Sequence, residues 1–313
     1  METRSPSAAS PRSPATYSLA GHVLTAPRLP GGLHVVATPI GNLRDITLRA
    51  LEVLAAADVI ACEDTRVTGR LTRHYGIATP LTPYHEHNAT EARPRLLARM
   101  AAGAAVALVS DAGTPLISDP GYRLVRAAQE ASHTVTALPG ASAVLTALAG
   151  AGLPTDAFLF GGFLPQKQGQ RRSRIEELKV VPGSLVLFET GPRLAESLAD
   201  LAELLGPREA AVCRELTKLH EEMRRGRLPE LAAHYAQAGA PRGEIVLVIG
   251  PPATDALPDA AETDRLLTDA LARLSVKDAV AEVAQATGQK RREVYQRALA
   301  LAKDGQNADH AAL

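Results

Sequence analysis

The chain has 313 residues, 46% hydrophobic and 22% charged, which is enough to bury two moderate cores and excludes a fibrous or disordered class. Its 34 basic and 34 acidic residues cancel, so nucleic-acid contact has to come from a local patch and not from a global positive field. Cys62 and Cys213 lie far apart without metal-like spacing, which excludes a disulfide framework and suits a reducing compartment, the cytoplasm.

Residues 1–30 mix Ser, Pro, Arg and Ala without periodicity and are expected to be a disordered extension. From 31 to 139, short apolar runs at 34–38, 59–62, 104–109 and 134–138 alternate with helical stretches at 47–57, 91–102 and 122–131. In the first helix Leu48, Leu51, Leu54 and Ala55 share one face, and the alternation predicts a parallel sheet covered by helices. A second α/β domain is expected over 140–252, with strands at 158–160, 184–188, 210–214 and 244–249. Residues 164–172 read as a mobile basic loop between strand and helix. A Pro- and Ala-rich linker over 253–264 leads to a helical tail over 265–313. There Ser275 and Asp278 resemble a capping box, and a break at 287–289 divides two helices, as in a helix-turn-helix or a plain packed hairpin. No apolar run approaches the roughly 20 residues of a membrane-spanning helix. The fold class is therefore α/β: two α/β domains with a cleft between them and a small helical C-terminal tail.

Three strand-to-helix corners concentrate small and rigid residues. They are Thr38-Pro39-Ile40-Gly41-Asn42, Ser110-Asp111-Ala112-Gly113-Thr114-Pro115 running on to Ile117, and Leu138-Pro139-Gly140-Ala141-Ser142-Ala143. Glycine lets backbone approach a ligand, proline stiffens the path, and corners at the carboxyl ends of parallel strands can meet at one edge. With Cys62-Glu63-Asp64-Thr65-Arg66 and Arg214-Glu215-Leu216-Thr217-Lys218, this ordered set resembles the tetrapyrrole methylase superfamily of S-adenosylmethionine-dependent methyltransferases, over about residues 33 to 304.

The resemblance implies S-adenosylmethionine in the cleft, against Pro39, Asp111, Ala112, Gly113, Thr114, Pro115, Ile117, Ser142 and Ala143, with Phe188, Glu189, Gly243 and Glu244 on the far side. Its nearest branch implies 2'-O-methylation of a cytidine, position 1402, in 16S ribosomal RNA of the small subunit by a homodimer. The tetrapyrrole-type Gly-Asp-Pro is here Gly113-Thr114-Pro115.

Candidate catalytic residues are Glu63, Asp64 and Arg66, whose alternative role is an ion pair capping a helix, and Glu189, Arg214, Glu215 and Lys218, whose alternative is an interdomain charge network. Candidate RNA contacts are His85, Arg171, Arg172, Arg193, Lys290, Arg291 and Arg292, and no metal is expected at His85-Glu86-His87. A tetrapyrrole C-methyltransferase and a noncatalytic ribosome-assembly protein are the competing functions. A nicotinamide oxidoreductase is disfavoured because its glycine fingerprint is missing.

Overall fold

The computed structural model describes residues 14–116, 121–252, 260–287 and 289–310. They form two compact bodies, divided after Gly250. Among the described residues, no helix is long and apolar enough to cross a membrane.

The first body opens with an antiparallel hairpin, β1 (Thr16–Leu19) and β2 (His22–Thr25), inside the stretch expected to be disordered. Ala20 and Gly21 both take positive φ, +50° and +83°, the geometry of a tight two-residue turn. Tyr17, 5% exposed, is buried in the same cluster as Leu51, Leu54 and Leu71. Four-residue strands in a Ser- and Pro-rich context carry too little periodicity to be read locally, and residues 1–13 lie outside the described ones.

A five-stranded parallel sheet follows: β3 (Gly32–Val36), α1 (Leu48–Ala56), β4 (Val59–Cys62), α2 (Thr65–His74), β5 (Leu81–Pro83), α3 (Ala89–Ala101), β6 (Ala105–Leu108), α4 (Tyr122–Glu130) and β7 (Val135–Leu138). The strand order is β5-β4-β6-β3-β7. Side chains alternate in direction along each strand. Val36, Ile60 and Ala107 pack with Leu51, Leu54 and Leu71, while Leu33, Val59 and Val106 pack with Leu96, Met100 and Leu124. The chain leaves β3 toward β4, passing β6, and leaves β6 toward β7, passing β3. Two neighbouring strands whose connections depart in opposite directions make a topological switch point, where a crevice opens beyond the carboxyl ends.

The second sheet contains β8 (Phe158–Phe163), β9 (Ser184–Thr190), β10 (Glu209–Arg214), β11 (Glu222–Arg227) and β12 (Glu244–Ile249), in the order β11-β10-β12-β9-β8. Only β8 and β9 are parallel. One face is covered by α6 (Gln168–Lys179), α7 (Gly191–Leu205) and α8 (Leu228–Ala238) through residues such as Ile175, Leu194, Leu198 and Leu228. The other meets α5 (Ala143–Ala151) through Val144, Ala147 and Leu148, together with Ile40 from the first sheet's corner. Strand β11, Glu-Met-Arg-Arg-Gly-Arg, has no apolar alternation; charged side chains suit an edge strand and hide it from a hydrophobic pattern.

Residues 168–172 are helical, not a mobile loop. Arg171, 2% exposed, donates from Nε to Asp200 Oδ2 at 2.7 Å, and Arg172 donates from Nη1 to Asp200 Oδ1 at 3.0 Å and also pairs with Glu203. Arg193 donates from Nη2 to the carbonyls of Leu164 (2.6 Å) and Pro165 (3.2 Å), pinning the turn after β8. At the positions expected to contact RNA, Arg171 and Arg172 thus meet carboxylates that α7 places beside α6, and Arg193 meets backbone carbonyls after β8.

Burial pushes the Asp200 carboxyl up, but hydrogen bonds from Arg171 and Arg172 outweigh it and hold the group below its ordinary value. A depressed carboxyl contributes stability that is complete above the unfolded value, about 3.9, and is lost as pH falls through the folded one. Thermal melts should therefore show the wild type losing stability below about pH 4. Asp200→Asn should flatten that acid slope; an unchanged slope would refute the linkage.

The second body is a three-helix unit, α9 (Ala260–Leu271), α10 (Val276–Thr287) and α11 (Arg291–His310), around Leu267, Ala270, Val280, Val283, Val294 and Ala298. Helix α9 begins within the expected linker, of which 253–259 lie outside the described residues. Ser275 Oγ accepts from the Asp278 N–H at 3.3 Å and donates to Asp278 Oδ2 at 2.7 Å, capping α10. Arg297 forks onto Asp264 at 2.7 Å through both Nε and Nη2, tying α11 to α9. Lys290, Arg291 and Arg292 stand exposed at the start of α11.

Candidate active site

The structure brings the three corners together. The Thr38 N–H donates to the Gly113 carbonyl (2.9 Å) and the Gly113 N–H to the Thr38 carbonyl (3.0 Å). Thr38 Oγ1 donates to the Ser110 carbonyl and Thr114 Oγ1 to the Ala141 carbonyl, both at 3.1 Å. Gly113 has φ +80°, and a Cβ there would approach Ile40 Cγ2 to 3.1 Å, so conformation and space both favour glycine. Ser142 then caps α5, accepting from the Leu145 N–H.

Against these corners lies a cavity of about 380 Å³. One wall carries Ala112, Gly113, Thr114, Ser142 and Ala143; the other carries Phe188, Glu189, Gly243 and Glu244 from β9 and the start of β12. Sequence reasoning missed Ile40, Val144, Phe163, Cys213, Leu216, Ile245 and Val246, which also line it. Strand alternation could have nominated Val246, but which sheet face stays open depends on where α5 stops covering it. Burial pushes the Cys213 thiol up to about 12, so it is a wall residue and not a nucleophile.

A second cavity, about 430 Å³, shares Ile40, Ala112 and Glu244 with the first. Pro39 and Asp111 line this second cavity, with Thr38, Thr68, Ser110, Arg70 and Lys218. Pro115 is buried and lines neither, and Ile117 lies outside the described residues.

At the junction, Lys218 Nζ reaches Glu215 Oε1 and Glu244 Oε2, each at 2.8 Å. Burial lowers the Lys218 pKa, but these two carboxylates prevail and leave it above the usual value, so the amine is a cation at neutral pH. The hydrogen bond from Lys218 and another from the Glu244 N–H hold the Glu215 carboxyl below its usual value. Glu215 and Thr217 are non-glycine residues at φ +50° and +67°, a strained turn of the sort that functional sites retain. Gly41 makes room for it: a Cβ there would lie 2.5 Å from Lys218 Cγ.

The other charged candidates have structural partners. Asp64 caps α2, accepting from the Arg66 N–H at 2.7 Å; Arg66 pairs with its carboxylate, and that hydrogen bonding holds the Asp64 carboxyl at about 2. The Asp64 N–H donates to Asp111 Oδ1 at 3.0 Å, linking this cap to the second corner, while Glu63 is exposed. Glu189, 2% exposed, accepts from Ser197 Oγ at 2.6 Å and from the Thr190 N–H at 2.8 Å, with Arg193 Nε at 3.5 Å. Arg214 pairs with Glu222 at 3.0 Å across β10 and β11. The His85 N–H donates to Asn88 Oδ1 at 2.9 Å, and His85 lines neither cavity. Among the described residues, no three His, Cys, Asp or Glu side chains gather as a metal site.

This architecture, a parallel sheet and a mixed sheet meeting at strand-end corners around a cavity, is that of the tetrapyrrole methylases. The methyltransferase CobJ matches with TM-score 0.52 at 21% identity over 71% of this chain and 95% of that one, and diphthine synthase with 0.55 at 16% over 70% and 89%; both likenesses concern fold alone. Residues 32–232 match the family Tetrapyrrole (Corrin/Porphyrin) Methylases, and residues 258–302 match the RsmI C-terminal HTH domain. Proteins called Ribosomal RNA small subunit methyltransferase I are 56% identical in Mesorhizobium japonicum (86% of this chain, 92% of that one) and 47% identical in Pseudomonas aeruginosa (86% and 97%). The chain belongs to the tetrapyrrole methylase family and, within it, to the family of ribosomal RNA small subunit methyltransferase I.

Proposed function

We propose that this chain moves the methyl group of S-adenosylmethionine to the ribose 2'-hydroxyl of a cytidine in 16S ribosomal RNA, at position 1402 by its family relation, acting in the cytoplasm as a homodimer. The observation that carries the reading is the cavity at the switch point, walled by three mutually bonded corners. Its volume of about 380 Å³ falls in the range of small-molecule sites. Ala112, Gly113, Ala143 and Gly243 leave backbone groups within reach of a ligand. Phe163 and Phe188, with ring centres 5.5 Å apart, offer aromatic faces to an adenine or a sulfonium cation. These residues fit the donor, and the cavity contains no glycine cradle for a phosphate it lacks.

The donor supplies a methyl on cationic sulfur; on transfer the carbon–sulfur bond breaks, a carbon–oxygen bond forms and the hydroxyl proton passes to water or to a carboxylate lining the second cavity. Aligning the reacting atoms can contribute roughly 7–11 kcal/mol, against about 3–5 kcal/mol from a general base, so holding the ribose matters most. The cationic Lys218 suits a phosphate or the oxygen as it gains charge. Asp111 and Glu244 are carboxylates on the acceptor side, whereas Asp64, at about 2, is a poor base.

Calorimetry should give binding of S-adenosylmethionine, and mass mapping of ribosomal RNA from cells without the chain should lack one ribose methyl. Intact methylation in those cells would remove the reading. Sedimentation tests the dimer.

A further inference from the structure

We propose that α2 is the rail along which the acceptor RNA backbone runs, with Arg70 and Arg73 on consecutive phosphates and the target nucleotide entering the second cavity. The inference rests on the first cavity being the donor site. Arg66, Arg70 and Arg73 recur at i, i+4 and i+7, one face of a helix. That face is exposed, while Thr68, Leu71 and Thr72 turn inward. No acidic residue occurs within α2. Arg66 is held by Asp64, but among the described residues no carboxylate pairs with Arg70 or Arg73. This separates them from Arg171, Arg172 and Arg214, whose charge is satisfied internally.

The stripe also leads somewhere. Arg70 lines the second cavity, which shares Ile40, Ala112 and Glu244 with the donor cavity. Thr38, Thr68, Ser110 and Asp111 give that cavity hydroxyl and carboxylate oxygens of the kind a ribose and a base edge can bond, and Lys218, its charge met by Glu215 and Glu244, lines it as well. A strand bound on α2 through phosphates would thus deliver one ribose to the shared wall, while phosphate contacts fix register and leave identity to the cavity.

The test is the full-length double variant Arg70→Ala/Arg73→Ala. Alanine at exposed helix positions keeps helix propensity, so the fold is retained. The KM for 16S RNA or small subunits should rise roughly tenfold or more with kcat changed less than about threefold. The plot of log KM against log salt should lose about 1.4 of slope, about 0.7 for each single-strand phosphate contact. Calorimetry should leave donor affinity within about twofold. A wild-type KM and salt slope in the variant would overturn the rail, and so would a tenfold loss of donor affinity, which would assign the second cavity to the donor instead. If the wild type binds donor yet methylates no small-subunit RNA, the proposed function itself falls, and the rail with it.

Discussion

Gly243→Ala is expected to lower kcat/KM for methyl transfer by a hundredfold or more. Gly243 has φ +102°, and a Cβ there would sit 2.5 Å from Cγ, Cδ and Oε1 of Glu215. The Glu215 carboxylate therefore has to move. Its Oε1 accepts from Lys218 Nζ at 2.8 Å and from the Glu244 N–H at 2.9 Å, so displacement loosens the cation at the junction and the β12 edge that lines the first cavity. Hydrogen bonds to charged groups contribute about 1.5–3 kcal/mol each, and two of them correspond to roughly 10²–10⁴ in rate. Gly239→Ala separates crowding from backbone strain, because Gly239 has φ +77° with nothing within 4 Å of its virtual Cβ. That variant should lose about 1 kcal/mol of stability and keep its turnover. Activity of Gly243→Ala within threefold of wild type would show that the Glu215–Lys218 clasp does not support the site.

Arg171→Ala is expected to destabilise the first body by about 3–5 kcal/mol, a fall in melting temperature on the order of 10 °C. The guanidinium is 2% exposed and the Asp200 it bonds is 4% exposed. Truncation leaves a buried carboxylate with Arg172 alone on one oxygen. Breaking one side of a buried pair is far more damaging than removing an exposed one. Arg174→Ala, which deletes the exposed Arg174–Glu177 pair, should therefore cost less than about 1 kcal/mol. Below its melting point Arg171→Ala should keep the wild-type KM for RNA. A raised KM with unchanged stability would instead restore Arg171 as an RNA contact.

Much of the architecture was legible locally. The apolar runs at 59–62 and 244–249 coincide closely with β4 (Val59–Cys62) and β12 (Glu244–Ile249), because buried strands announce themselves through contiguous Val, Ile, Leu and Ala. Helix α2 was harder to see: three threonines and Gly69 in ten residues give low helix propensity, and its start depends on the Asp64 cap. The hairpin at 16–25 and strand β11 escaped because the first has strands of only four residues and the second is a charged edge strand without apolar alternation.

The sequence by itself determined the alternating α/β plan and the three glycine- and proline-bearing corners, because periodicity, glycine and proline act over a few neighbouring residues. Only the tertiary structure decided which charges remain available to a partner. Arg171 meets Asp200 across 29 positions and Arg193 meets Leu164 across another 29, whereas Arg70 faces a cavity. A guanidinium binds whichever acceptor folding brings within 3 Å, and one-dimensional spacing carries no record of that encounter.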